Sequence, residues 1–477
     1  MKIQNIAKNT SYFTLALILQ KVITFAYFAI LARNLSPDDL GKYYLALSIT
    51  SMFIIFIDLG QANVLTREVA KSKEKAKNFL QTIIAIKLPL IVLSVILVII
   101  LSFSLGYEEL TKRLIYIALI CMVLDSLSTT FFAVIRGFHN LKYESVISVI
   151  YQVIVLIFGL LSLKIGLGLE YLMLVLALAS VLKFIFSGLL IVFKYKLSLF
   201  PIFQKTEIKF LFSLSVPFAL YGIFQKIYMY LDTILISVLA NDYFVGIYQI
   251  AFKIVFALQF LPLAFVASLY PAFALYWTDN KRQLDISFER AMQYLTIISL
   301  PICVGIIAIA DKIVIIFKPE YINAIIPLQI IMISLPFIFL NFPIGSLLNA
   351  CDKQKINTII MGIALVVSII INIILIPKFQ AIGASITVLI TNALIFILGI
   401  YQAKKIVNIR YLKNLIFFGK ILFSSVILFL FTLFLKEKLN LFLLIFTNGL
   451  IYFIMIILTK AIKQKDIKSI FYSFAKK

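Results

Sequence analysis

Fourteen apolar runs of about twenty residues follow one another along this chain, and no segment between them is long enough to fold alone. A helix of about 20 apolar residues spans the hydrocarbon core of a bilayer. Inside lipid, only helices and closed barrels satisfy every backbone polar group. Runs of this length therefore predict an all-α integral membrane protein with fourteen transmembrane helices. They cover residues 12–32, 42–61, 79–105, 113–135, 145–165, 170–193, 209–239, 244–273, 288–310, 324–349, 356–376, 382–402, 413–435 and 440–459. Composition agrees: 63% of residues are hydrophobic and mean hydropathy is +1.08, against roughly 45–50% apolar content in a soluble domain. The first run follows Lys2 and Lys8 but is too long for a signal-peptide core and lacks a small-residue cleavage site. It reads as a retained first helix.

A net charge of +23 would suggest nucleic acid in a soluble chain. In a polytopic chain the position of the charges is the better guide. Most of the 44 Lys and Arg fall on the even-side connectors and the tails, richest in Arg67–Lys77, Lys194–Lys209, Lys404–Lys413 and Lys460–Lys477. This bias places both termini in the cytoplasm, in a multi-pass protein of the cytoplasmic membrane. The charge is thus a topology signal with contact to anionic membrane lipids as a second effect, and nucleic acid is not expected as a partner. Cys121, Cys303 and Cys351 are scattered without metal spacing, and His139 is the single histidine. No metal, cofactor or catalytic residue is expected.

The chain repeats itself. Gln20-Lys21 and Gln225-Lys226 lie within runs 205 residues apart, and each precedes by 20 residues a Gly-x-Tyr, Gly41/Tyr43 and Gly246/Tyr248. Gln81 with Leu88-Pro89 is echoed by Gln293 with Leu300-Pro301, and Gly137–Lys142 corresponds to Ala350–Lys355. Six spans separate the copies, so they share one orientation, as in a parallel repeat. The expected organisation is an N-terminal lobe (1–195), a cytoplasmic linker (196–208), a C-terminal lobe (209–405), an appended pair of spans (406–462) and a basic cytoplasmic tail (463–477).

An ammonium near the bilayer midplane costs roughly 2.5–3.5 kcal/mol on insertion scales. Lys21 and Lys226 incur that cost at matching positions, which points to a polar interior that binds an anion; a packing ion pair is the bland alternative. Gln20 and Gln225 flank them. Lys253, one turn from Gln249, and Lys87 extend the basic set, with Asp232 a plausible partner for Lys253; Lys183 is as easily explained by snorkelling. Asp58, Asp125 and Asp232 are candidates for gating or ion coupling, against a reading as salt bridges or caps. Arg136 and Arg67 flank cytoplasmic span ends as topology anchors with gate contacts. Tyr228, Tyr230, Phe25 and Phe28 read as packing residues. Pro89, Pro217, Pro262, Pro301, Pro336 and Pro343 interrupt spans, and proline kinks a helix.

The run Ala32-Arg33, Leu35, Pro37, Gly41, Tyr43, then Asp58-Leu59-Gly60 and Arg67-Glu68-Val69-Ala70 resembles the opening of Wzx-like polysaccharide flippases. Those belong to the multidrug/oligosaccharidyl-lipid/polysaccharide exporter superfamily. Leu348-Asn349-Ala350 with Lys353 and Lys355, and Pro377 with Gly383-Ala384-Ser385, resemble its later span junctions. The resemblance implies two six-helix lobes around a cavity, alternating access, a monomer, and a polyprenyl-diphosphate-linked oligosaccharide as cargo.

The expected function is therefore that of a flippase, not an enzyme, which carries a polyprenyl-diphosphate-linked glycan from the cytoplasmic to the outer leaflet for surface polysaccharide biosynthesis. The alternatives are a lipid II flippase or a drug or organic-cation antiporter of the same superfamily. Outside it stands a membrane glycan polymerase or ligase. Lysines where the lipid II branch would carry arginines weigh against the first. The absence of acidic residues before Pro37 weighs against the second, and the few-residue outward loops against the third.

Overall fold

The computed structural model describes residues 3–461, with side chains from Leu15 onward except at residues 216–218. Lys2, the basic tail at 463–477 and the side chain of Pro217 lie outside the described residues. The chain is all-α, and among the described residues there is no strand. The helices in order are α1 (Ile3–Asn34), α2 (Pro37–Asp58), α3 (Gln61–Lys71), α4 (Ala76–Ser104), α5 (Glu109–Gly137), α6 (Leu141–Ile165), α7 (Leu169–Leu189) and α8 (Lys205–Leu239). They continue as α9 (Asp242–Leu258), α10 (Phe260–Asp279), α11 (Lys281–Ala308), α12 (Ala310–Phe317), α13 (Ile325–Ala350), α14 (Gln354–Ala403), α15 (Tyr411–Leu435) and α16 (Leu441–Leu458).

Thirteen stretches among the described residues are long and apolar enough to cross a membrane. One of them, α14, has 50 residues, about 75 Å at 1.5 Å per residue, more than twice the roughly 30 Å hydrocarbon core. Gln380 leaves helical geometry inside it at φ 49° and ψ −124°, three residues after Pro377. Counted as two crossings, α14 accommodates the expected fourteen. Large apolar side chains are exposed along most of the spans; on α16, Phe442 and Phe446 are exposed. Such a surface suits lipid rather than water.

Sequence chemistry sets the helix ends. Ser36 caps α2 by accepting the Asp39 N–H at 3.2 Å, with Pro37 in the first turn and Asp38 and Asp39 beside the positive end of the helix dipole. Asn440 caps α16 the same way, accepting the Leu443 N–H at 2.9 Å. The span expected at 244–273 is divided: α9 ends at Leu258 and α10 begins at Phe260. Pro262 lacks an N–H to give the Leu258 carbonyl, so the ladder fails there.

The segment Arg67–Lys77, expected as a basic connector, opens on the last residues of α3, which occupies Gln61–Lys71. The chain breaks from α2 through left-handed Leu59 (φ 44°) and Gly60 (φ 78°). It then buries Val64, Leu65 and Val69 against α4 and α5. Eleven residues with an ion-paired Arg67–Glu68–Lys71 edge are too short and polar to read as a span, so only the amphipathic period marks α3.

The molecule divides into two compact units. The first comprises residues 1–249 with 361–384, so α8 and the start of α9 cluster with the first repeat. Its core lies among α3, α4 and α5, around Phe79, Leu80, Phe131 and Val134. The second comprises 250–360 with the described residues from 385 onward, and its core gathers Phe273, Phe288, Leu347 and Ala403 from α10, α11, α13 and α14. The appended pair α15 and α16 packs onto this unit: Tyr452 donates to the Ile297 carbonyl at 2.8 Å, and Lys436 meets Asp311 at 3.0 Å. Asp311 lies outside the spans; burial pushes its carboxyl up, and the Lys436 ammonium with local backbone N–H groups more than offsets this, holding it below the usual carboxylate range.

Candidate functional site

The first unit contains both copies of the repeated motif, so their geometry can be compared directly. α1 carries Gln20-Lys21 and α8 carries Gln225-Lys226; α2 and α9 open with the two Gly-x-Tyr sequences. The first turns of α2 and α9 cross at their glycines. A Cβ on Gly41 would lie 1.8 Å from the Asp242 carbonyl oxygen, and one on Gly246 would lie 1.9 Å from that of Pro37. Asp242 stands 205 residues after Pro37, as Gly246 does after Gly41, so the contact is reciprocal. Each copy touches the repeat-equivalent atom of the other, the signature of a local pseudo-two-fold.

The tyrosines of the motif reach back onto the preceding helix at the same interval. Tyr248 donates to Asp232 at 3.0 Å, and Tyr43 lies near the Tyr27 hydroxyl without a hydrogen bond to it. Each partner lies 16 residues before its tyrosine and 205 from its counterpart. One repeated scaffold thus holds a carboxylate in the second copy and a phenol in the first.

Lys21 and Lys226, half-buried on α1 and α8, lie close enough for their charges to repel. Lys226 also sits 5.5 Å from the centre of the Tyr230 ring, a cation–π contact from a residue expected only to pack. Gln20 is half-buried and its carbonyl accepts the Thr24 hydroxyl at 2.7 Å, whereas Gln225 is exposed. Lys253, half-buried on α9, lies 6.0 Å from the Phe252 ring. Gln249, one turn before it, is buried and donates to Thr233 at 3.0 Å.

The remaining candidates are engaged in side-chain pairs. Lys87 is fully buried and donates to Asp58 Oδ1 at 2.9 Å and to the Ser126 carbonyl and hydroxyl at 3.2 Å each. An ammonium has three donors, so none is left for an external anion. Lys183 meets Asp125 at 2.6 Å and lies 4.6 Å from the Tyr151 ring. Arg136 pairs with Glu144 at 3.1 Å. Asp232 is buried, and besides Tyr248 it accepts Asn372 Nδ2 at 2.7 Å. Asn372 also donates to Ser368 at 3.2 Å. Sequence reading overlooked Tyr27, Ser126, Ser368 and Asn372, which are neutral and so raise no insertion-cost alarm. The 205-residue offset from Asp232 to Tyr27 was the signal available.

Removing one partner of a buried ion pair costs about 3–5 kcal/mol, whereas replacing both by apolar groups is often neutral. Asp58→Ala is therefore expected to lower the unfolding temperature sharply in detergent, and Asp58→Ala with Lys87→Met to recover most of the loss. Equal stability of Asp58→Ala and the unchanged protein would show that the pair is not structural.

Comparison with known proteins matches these features to one group. Residues 6–277, more than half of the chain, match the family described as polysaccharide biosynthesis protein; residues 217–374 also match the MatE family. A capsular polysaccharide biosynthesis protein, CapF of Staphylococcus aureus, is 25% identical over 406 residues, covering 84% of this chain and 99% of its own. A probable low-salt glycan biosynthesis flippase of Haloferax volcanii is 20% identical, covering 80% and 79%. Among solved structures, the lipid II flippase MurJ in an inward closed conformation superposes with a TM-score of 0.76 at 19% identity, over 98% of this chain and 99% of that one. At that identity the likeness speaks for the fold. The chain belongs to the polysaccharide biosynthesis protein family, within the multidrug/oligosaccharidyl-lipid/polysaccharide exporter superfamily of membrane flippases.

Proposed function

We propose that this flippase carries a polyprenyl-diphosphate-linked oligosaccharide across the cytoplasmic membrane by alternating access, with both termini in the cytoplasm. The observation that carries the reading is the placement of Lys21 and Lys226, on repeat-related helices of one unit, within electrostatic reach of each other. Two ammonium groups brought together in low dielectric repel. A diphosphate between them turns that repulsion into two attractions and compensates its own desolvation. Tyr230 and the flanking Gln20 and Gln225 supply amphipathic and hydrogen-bonding surface beside it. An organic cation would meet the opposite field at this point, which favours the glycan-lipid reading over the antiporter.

Asp232 is the coupling candidate in this scheme. It is a buried carboxylate whose hydrogen-bond donors Tyr248 and Asn372 are neutral, so it can respond to a proton or cation. Asp58, Asp125 and Arg136 then act through the ion pairs that tie helices together. An inside-negative potential of 100 mV favours outward movement of two negative charges by roughly 4–5 kcal/mol, which contributes to the drive.

The test is a reconstituted one. Proteoliposomes holding the protein and a fluorescent polyprenyl-diphosphate oligosaccharide are expected to expose the label to an impermeant quencher faster than protein-free vesicles. A polyprenyl monophosphate of the same glycan should move more slowly. Vesicles that leave the lipid in place while exchanging a cationic dye would replace this reading with the antiporter.

A further inference from the structure

The second unit holds a half-open pocket of about 600 Å³ among α11, α13, α14 and α15, unrelated to the lysine pair. Sites of roughly 300–1,000 Å³ hold ligands of drug size. Its wall is apolar, with Phe288, Met292, Phe396, Ile400, Phe417 and Phe418 prominent. Its polar residues gather at one end, where α11 begins and the α14–α15 connector passes: Asp285, Glu289, Gln293, Asn408 and Asn414.

That end is built. Asp285 accepts the Asn408 N–H at 3.0 Å, Gln293 donates to Asn414 at 3.3 Å, and Glu289 pairs with Lys413 at 2.5 Å. Buried Ala403 and Val407 anchor the connector in the core of the unit. Lys413 offsets the charge of Glu289, Asp285 is held by a backbone N–H, and the exposed charged residues that adjoin the lining in sequence are cationic. Arg290 follows Glu289, Arg410 and Lys413 flank the lining residues Tyr411 and Leu412, and Lys404 and Lys405 stack on Tyr401 one turn past Ile400.

An apolar chamber opening beneath a group of Lys and Arg at a span end has the chemistry of a site for an anionic lipid: the chain fills the chamber and the head group meets the cations. We propose that this cavity binds one hydrocarbon chain of an anionic membrane phospholipid, whose head group rests among Arg290, Lys405 and Arg410. A bound lipid would fasten α15 of the appended pair to α11. This inference is independent of the substrate reading, because no residue of the lysine pair lies in the second unit.

Native mass spectrometry of the full chain, exposed to phosphatidylglycerol and phosphatidylcholine of equal chain length, tests it. Retention of one phosphatidylglycerol with about tenfold preference is expected. Met292→Trp, which fills the chamber, should abolish retention of both lipids while the protein remains monodisperse. Ile400→Trp, from the opposite wall, serves if Met292→Trp does not fold. Arg290→Gln with Arg410→Gln should keep a bound lipid but lose the preference. Equal retention of the two lipids by the unchanged protein would overturn the proposal, as would undiminished phosphatidylglycerol on both monodisperse tryptophan variants. Displacement of phosphatidylglycerol by a neutral polyprenol of comparable length would overturn it too, by assigning the chamber to another lipid.

Discussion

Lys21→Ala with Lys226→Ala is expected to lower translocation at least a hundredfold and to abolish growth of surface glycan in a strain lacking its own flippase, at unchanged protein abundance. A hydrogen bond to a charged group is worth about 1.5–3 kcal/mol, and every 1.4 kcal/mol is a factor of ten. Each single substitution should therefore cost about tenfold or more, and lysine-to-arginine changes should retain part of the rate. The expected effect on stability has the opposite sign. Removing two ammonium groups from spans relieves an insertion cost of roughly 2.5–3.5 kcal/mol each together with their mutual repulsion, which outweighs the lost contact of Lys226 with Tyr230, worth about 0.5–2 kcal/mol. The doubly substituted protein should thus melt no lower than the original in detergent. Loss of transport with a lowered melting temperature would mean that these lysines hold the bundle together. Normal glycan in the complemented strain would remove the diphosphate site altogether.

Much of this architecture was legible in the sequence because bilayer physics leaves so few options. Apolar length and the 205-residue offset required no tertiary information, whereas the two Gln-Lys pairs, expected in separate lobes, lie on α1 and α8 of one unit. What could not be read was which partners a buried cation takes up. Lys21 and Lys87 look alike in a hydropathy profile, each a cation in an apolar run. Lys87 meets Asp58, 29 residues away, and the hydroxyl and carbonyl of Ser126, and pairing across helices leaves no local trace. The 212-residue offset that relates Gln81 to Gln293 takes Lys87 to Ser299, and that unmatched cation was the one available hint. Asp232 posed the reverse problem: a buried carboxylate suggests a lysine, yet the donors identified are Tyr248 and Asn372, the latter 140 residues distant. The break at Leu59 and Gly60 and the amphipathic α3 were concealed because a short helix lying against the core has too few apolar residues to count as a span.

Gly41→Ala and Gly246→Ala are expected to impair transport strongly and to nearly equal degrees. At both positions the offending atom is Cβ itself, 1.8 or 1.9 Å from a carbonyl oxygen of the opposing helix, so alanine should be almost as damaging as valine. Side-chain bulk beyond Cβ adds little when the first carbon already overlaps backbone. Overpacking a well-packed site costs typically 1–3 kcal/mol. Here backbone opposes backbone, neither partner can rotate away, and the cost should fall at the upper end or above. That energy acts only on conformations in which the first turns of α2 and α9 cross. In a transporter that alternates between states, a penalty on one state displaces the equilibrium toward the others, and 1.4 kcal/mol already shifts it tenfold. The variants should therefore fold and reach the membrane but populate the crossed state less. Cysteines placed at Asp38 and Asp242, near the crossing, would report this as slower cross-linking in the alanine background. Because the contact is reciprocal, the double variant Gly41→Ala with Gly246→Ala should be much less than additive: separating the helices to admit one methyl also admits the other. Additive losses, or an effect at only one glycine, would show that the two contacts are not one crossing shared by the repeats.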